Sequence, residues 1–167
     1  MSRQDKQRNV SGMRLEVRVR KAKLEDTDRM TDFNVRMADE TECKKIDVNI
    51  VRQGIISVID DPSKGFYLVA EKDGDSEIVG QLLVTFEWSD WRNKYFWWIQ
   101  SVYVDPRFRR KKVFSQLYRT LDGLAISNKD ICGFRLYLDK QNESAKKVYK
   151  SMGFKKTSYE VYEMEFL

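Results

Sequence analysis

The sequence predicts a mixed α+β fold, a central sheet covered by helices on both sides. Three observations carry this. Segments with an alternating apolar pattern and segments with helical spacing follow one another in the order β-α-α-β-β-β-α-β-α-β. Two polar turns, Asp73-Gly74-Asp75 and Trp91-Arg92-Asn93-Lys94, join three consecutive strand segments. The last of these, Phe96 to Val104, is apolar on both faces, with Trp97, Ile99 and Tyr103 against Trp98, Val102 and Val104. A strand of that kind belongs inside a sheet covered twice. With 167 residues the chain has the length of one domain. No repeat or linker divides it. The expected organisation is a polar, flexible lead-in over 1–12 and one domain over 13–167.

Arg14 to Arg20 alternates apolar and charged residues and predicts a first strand with one wet face. Leu24 to Ala38 places Met30, Phe33 and Met37 on one helical stripe, and Asp47 to Ile59 does the same with Val51, Ile55, Val58 and Ile59. Asp60-Asp61-Pro62 ends the second helix. Asp39 to Lys45, rich in carboxylates, connects the two. Phe66 to Glu71 and Ile78 to Trp88 form a hairpin. Asp105-Pro106 closes the Phe96 to Val104 strand. Lys111 to Ser127 is a helix with Val113, Leu117, Leu121 and Leu124 on its apolar stripe. Phe134 to Leu138 is a strand, and Asn142 to Met152 a helix ended by Gly153. Phe154 to Leu167 supplies one or two final strands through Tyr159, Val161 and Phe166.

Composition excludes several chemistries. Hydrophobic residues make up 41%, enough for a packed core. There is no histidine. Ser-His-Asp and Cys-His nucleophile systems and histidine-held metals are therefore absent. Cys43 and Cys132 form no CxxC pair and are expected as buried, reduced thiols. No apolar run approaches the roughly 20 residues of a membrane span, and Met1 to Val10 has no secretory character, so a cytoplasmic location is expected. A net charge of +5 favours anionic partners.

Two segments carry chemistry. Arg107 to Lys112 crowds five cations between a strand and a helix N-terminus. Each cation there is disfavoured by about 0.3–1 kcal/mol unless an anion joins it. Free backbone N–H groups at such a turn suit phosphate. On charge alone, a phosphate-binding turn and a solvated basic loop or targeting run both remain open. In the second segment Asn142, Ala145 and Tyr149 share one helical face, which could line a slot beside an extended ligand or bury a core stripe.

Together the two segments resemble the GNAT superfamily of acyl-CoA N-acyltransferases. Ser101 to Phe114 looks like that family's coenzyme A pyrophosphate loop. Asn142-x-x-Ala145-x-x-x-Tyr149-x-x-x-Gly153-Phe154 looks like its second cofactor motif. The turn Trp88-Ser89-Asp90-Trp91-Arg92 is similar to small bacterial members, and the order of elements fits from Arg14 to Leu167. The resemblance implies a twisted, mostly antiparallel mixed sheet of six to seven strands. It implies about four helices on the two faces and central strands that splay to bind coenzyme A. It also implies acetyl transfer from acetyl-CoA to an amine, without a metal. Val102, Tyr103 and Val104 would hold the pantetheine. Arg109, Arg110, Lys111, Lys112, Val113, Phe114 and Ser115 would form the phosphate turn, and Asn142, Ala145 and Lys146 would complete the cofactor site. Tyr149 would protonate the leaving thiolate.

The sequence departs from the family at two places. Lys112 and Phe114 stand where glycine is usual, and glycine lets a backbone approach a phosphate closely. Trp98 stands where a strand glutamate often acts as base. Glu87 on the neighbouring strand is the candidate in its place, with Glu40 and Glu42 as acceptor-binding carboxylates that draw a cationic amine, whether a small molecule or a peptide side chain. The assembly expected is a monomer or homodimer. A non-catalytic acyl-CoA sensor and a nucleic-acid binder are the rivals. The basic run and Trp88, Trp91 and Trp97 favour the latter, but the cations sit in one turn and the aromatics follow core patterning.

Overall fold

The computed structural model describes residues 15–166. The expected lead-in over 1–12 lies outside them. The chain forms two compact units, one ending at Leu136 and the other Tyr137–Leu167.

The first unit contains β1 (Val17–Lys21), α1 (Thr27–Glu42), α2 (Val48–Asp60), β2 (Phe66–Lys72), β3 (Ile78–Ser89), β4 (Lys94–Ile99), β5 (Tyr103–Val104), α3 (Val113–Ile126) and β6 (Ile131–Leu136). The sheet runs β1-β2-β3-β4-β6, and β5 also pairs with β3. All pairs are antiparallel except β4–β6. Helices cover both faces. Gln81 reaches Asn34 of α1, and Tyr103 stacks near Phe33 at 5.1 Å, so α1 lies on the face of the odd-numbered β3 residues. Met30, Phe33, Ile55, Tyr67, Val69 and Tyr103 form the core there. On the other face, a Cβ at Gly80 would meet Val113 Cγ1 at 3.0 Å and the Tyr103 carbonyl at 3.2 Å. Glycine thus lets the start of α3 sit close on β3. Val113, Leu117 and Leu121 follow at four-residue spacing and are buried. Each contributes about 1.5–3 kcal/mol by leaving water.

Several expectations are corrected. The strand expected over 96–104 is two strands. Val84 pairs with Ile99 and Gln81 with Tyr103, so three steps on β3 face four on the other chain segment. The extra residue makes a bulge between β4 and β5. The strand expected at 134–138 is displaced to 131–136, and the helix expected from Lys111 begins at Val113. Residues 154–166 form no strand. Tyr159 to Phe166 intersperses apolar with acidic residues, but propensity without a pairing partner does not make a strand. Cys43 is exposed and Cys132 half-exposed, both as free thiols. Cys43 closes α1 in a left-handed conformation (φ 50°).

The second unit holds α4 (Glu143–Ser151), begun by Asn142, whose side chain accepts from the Ala145 amide at 2.9 Å. Gly153, at φ 91°, ends it as expected. Among the described residues no helix is long and apolar enough to cross a membrane.

Candidate active site

The turn from β5 into α3 is built on Asp105. Its buried carboxylate accepts from the Arg107 amide at 2.9 Å and starts a short 3₁₀ turn, Pro106–Phe108. The Arg107 and Arg29 guanidiniums also bond it, and Arg107 reaches Glu77. These contacts, Arg107 foremost, hold the Asp105 carboxyl well below the usual carboxylate range.

Arg109 turns the other way. Its Nε donates to the Val104 carbonyl at 2.9 Å, and its Nη2 pairs with Glu40 near the end of α1. Tyr103 donates its phenol to the same carboxylate at 2.6 Å. Burial, then the Glu40 contact, push that phenol up to about 12. Burial alone would raise the Glu40 carboxyl, but the bonds from Tyr103 and Arg109 outweigh it and lower the pKa. Arg109, Tyr103, Val104 and Glu40 are therefore one cluster. The Tyr103 side chain faces α1, and Glu40 is already engaged by protein cations. Glu42, two residues on, is exposed.

Beyond Arg109 the backbone is strained. Arg110 (φ 63°) and Lys112 (φ 66°) are left-handed, which costs a side-chain-bearing residue about 1–2 kcal/mol. Lys112 occupies the N-cap of α3 with no side-chain bond to the helix. Phe114, by contrast, has ordinary helical backbone and packs on Tyr118, so only one of the two expected glycine replacements strains the chain. Arg110 adds a second strained position that spacing did not reveal. Arg110, Lys111, Lys112 and Ser115 line an open groove of about 730 Å³, with Arg119 one turn further along α3. The Val113 side chain is buried, leaving only its backbone for a ligand.

The bulge leaves the Ser101 and Val102 amides without a backbone hydrogen bond among the described residues. β6 ends opposite Ile99, so among the described residues of this unit no strand covers the outer edge of Gln100 to Val104. Part of that edge is occupied, since Arg109 takes the Val104 carbonyl.

Glu87 accepts from the Trp98 indole and from Arg135 on β6. Sequence reading missed Arg135 because it lies 48 residues away. The one available signal is a charged residue inside an otherwise apolar strand segment. In the second unit, Lys146 is tied to Glu143 at 2.6 Å and to the Lys140 carbonyl. Ala145 is half-buried, and Tyr149 packs edge-on against Phe154 at 5.4 Å. Burial raises the Tyr149 phenol.

Comparison with curated proteins finds no match. Solved structures do match. A possible acetyltransferase from Clostridium difficile 630 is 38% identical, with a TM-score of 0.83 over 90% of this chain and 98% of the other. A predicted acetyltransferase with acetyl-CoA from Clostridium acetobutylicum, 20% identical, shares the fold at a TM-score of 0.72 over 90% and 96%. Residues 28–154 match the family model of the acetyltransferase (GNAT) family. That span takes in every strand of the sheet but β1, the strained turn and α4, and the chain accordingly belongs to the GNAT acetyltransferase family and is an acyltransferase.

Proposed function

We propose that residues 13–167 act as one cytoplasmic catalytic domain that transfers the acetyl group of acetyl-CoA directly to a primary amine. The observation that carries this is the turn at Arg110 to Lys112. Three cations stand at a helix N-terminus on two left-handed residues, none in an ion pair among the described residues. Such an arrangement opposes stability unless an anion joins it, and a diphosphate is that anion.

In this reading, coenzyme A lays its diphosphate on the amides and cations from Arg110 to Ser115. The pantetheine follows the outer edge at Val102 and Val104, bonding as an added strand would. The Val102 N–H polarises the thioester carbonyl and stabilises the oxyanion. The neutral amine attacks the carbonyl carbon, the C–S bond breaks, and the thiolate takes a proton from Tyr149. The surplus proton on the attacking nitrogen passes through water to the tyrosinate. Burial raises the phenol, which keeps it protonated at neutral pH but makes it a weaker acid, so donation follows the negative charge that builds on the sulfur. An amine of ordinary pKa is neutral in only about one molecule in 2,500 at pH 7. A water chain removes its proton, because Arg135 and Trp98 already occupy Glu87. Asn142, Ala145 and Lys146 complete the cofactor site.

Calorimetric titration with acetyl-CoA, followed by single-turnover acetylation of an amine, tests the proposal. Tyr149→Phe is expected to slow the chemical step by roughly 10²–10⁴ while leaving acetyl-CoA affinity near parental. Absence of acetyl-CoA binding by the parent would overturn the reading.

A further inference from the structure

The sheet face that α1 covers continues past that helix onto β3, β4 and β6. There it carries Thr85, Glu87, Phe96, Trp98 and Arg135, paired rung by rung as Thr85–Trp98, Glu87–Phe96 and Trp98–Arg135. Stability does not account for charge at this place. Glu87 and Arg135 are each about one-third exposed (37% and 35%), and such a pair contributes about 0–1 kcal/mol.

The geometry of Arg135 is more telling. Its guanidinium lies 4.0 Å from the centre of the Phe96 ring, and its Nη1 bonds Glu87. Ring and carboxylate together fix the orientation of the planar group. Its Nε and Nη2 bond no group among the described residues, so one edge of the fork is presented outward. Arg92 places a second guanidinium 5.0 Å from the same ring, with no side-chain hydrogen bond among the described residues. Glu87 pairs with Arg135 alone, the Arg92 guanidinium has no ion pair among the described residues, and the balance attracts an anion. A planar fork held in place suits a carboxylate or phosphate in particular.

This patch lies close to the proposed transfer point. Trp98, paired with Arg135, stands four residues before Val102, at most about 14 Å along the chain. Meanwhile Glu40, in the last turn of α1, is engaged by Arg109 and Tyr103. We infer that the acceptor is a small amine that also bears an anionic group, a carboxylate or a phosphate, and that Arg135, assisted by Arg92, binds that group. Glu87 is then a positioning residue that aims Arg135. The inference names the acceptor class for the acetyl transfer proposed above and rests on that reading.

Matched amines test it. An amino acid is compared with its amide, and an amino sugar phosphate with the free amino sugar, both by calorimetric titration and by turnover with acetyl-CoA. At least one anionic member is expected to bind at least tenfold more tightly than its neutral counterpart; which pair shows the gap separates carboxylate from phosphate. Arg135→Gln is expected to shrink the gap to within about threefold, raising KM for the anionic amine while acetyl-CoA affinity stays parental. Arg92→Gln, in an exposed turn, is expected to narrow the gap without unfolding the chain. Equal binding of both members of each pair, or an unchanged gap in folded Arg135→Gln, would overturn the inference. Amine titration needs no turnover, so a failed acetyl transfer, seen as lack of acetyl-CoA binding, is told apart from a failed anion preference.

Discussion

Arg107 and Arg109 differ from Arg110, Lys111 and Lys112, although all five stand within six residues. Arg107 is bound by Asp105 and Glu77, and Arg109 by Glu40. Both have ordinary backbone, and both tie the turn to the fold. The other three have no ion pair among the described residues, two of them are left-handed, and all line the groove. A cation that the fold has already neutralised holds structure together. One left uncompensated beside a helix N-terminus, on strained backbone, is suited to a ligand. The division also weakens the nucleic-acid alternative, because two of the five charges are already paired with carboxylates of the fold.

The most severe way to probe this division is Asp105→Asn. Asp105 is 1% exposed and accepts from both Arg29 and Arg107. Removing its charge takes the buried carboxylate from two guanidiniums and leaves them only Asp32 and Glu77. Urea unfolding is expected to show a loss of about 2–4 kcal/mol. The pH dependence has a fixed sign. The folded pKa is depressed, chiefly by Arg107, so the stabilisation is present above the ordinary carboxylate range near 4 and is lost as pH falls toward the folded value. The Asn variant should lack that part of the acid slope. A variant as stable as the parent would remove Asp105 from the structural half.

Much of this was legible in the sequence. The order of elements, both hairpin turns, the Asn142 cap and the Gly153 stop follow from local chemistry, and local chemistry is what a single sequence displays. The bulge was not legible, because Phe96 to Val104 keeps an apolar pattern straight through it and the extra residue appears only when counted against β3. The partners of Arg109 and Glu87 were hidden for the same reason. Glu40 and Arg135 lie 69 and 48 residues away, and nothing in the local pattern pairs them. The final segment erred in the opposite direction, with strong strand propensity at Tyr159 to Phe166 and no ladder in the structure.

Cofactor affinity separates the two halves more gently. Arg110→Ala and Lys111→Ala are each expected to weaken acetyl-CoA binding by about 5–20-fold and to reduce its salt dependence, since each removes a charge that faces the groove. Arg107→Ala should change the affinity by less than about twofold while lowering the melting temperature. Titrations at two salt concentrations check this, and equal losses in all three variants would mean that the charge acts only through its sum.

The finest test is at Lys112, where strain and charge coincide. Lys112→Gly relieves the left-handed conformation, by about 1–2 kcal/mol, but frees the unfolded chain by about 0.5–1 kcal/mol. The net expectation from the backbone is a gain of up to about 1.5 kcal/mol. Lys112→Ala keeps the strain and removes the same ammonium, so its gain should be limited to the roughly 0.3–1 kcal/mol that a cation at a helix N-terminus costs and should not exceed that of Lys112→Gly. Both variants retain the backbone N–H. If the amide is what meets the diphosphate, Lys112→Gly should bind acetyl-CoA within about threefold of the parent and at least as well as Lys112→Ala. If the ammonium makes the contact, the two variants should lose affinity together, by as much as Lys111→Ala. A Lys112→Gly protein that is less stable than the parent would show that position 112 is not held against its own preference, and the strain would no longer mark this half of the turn.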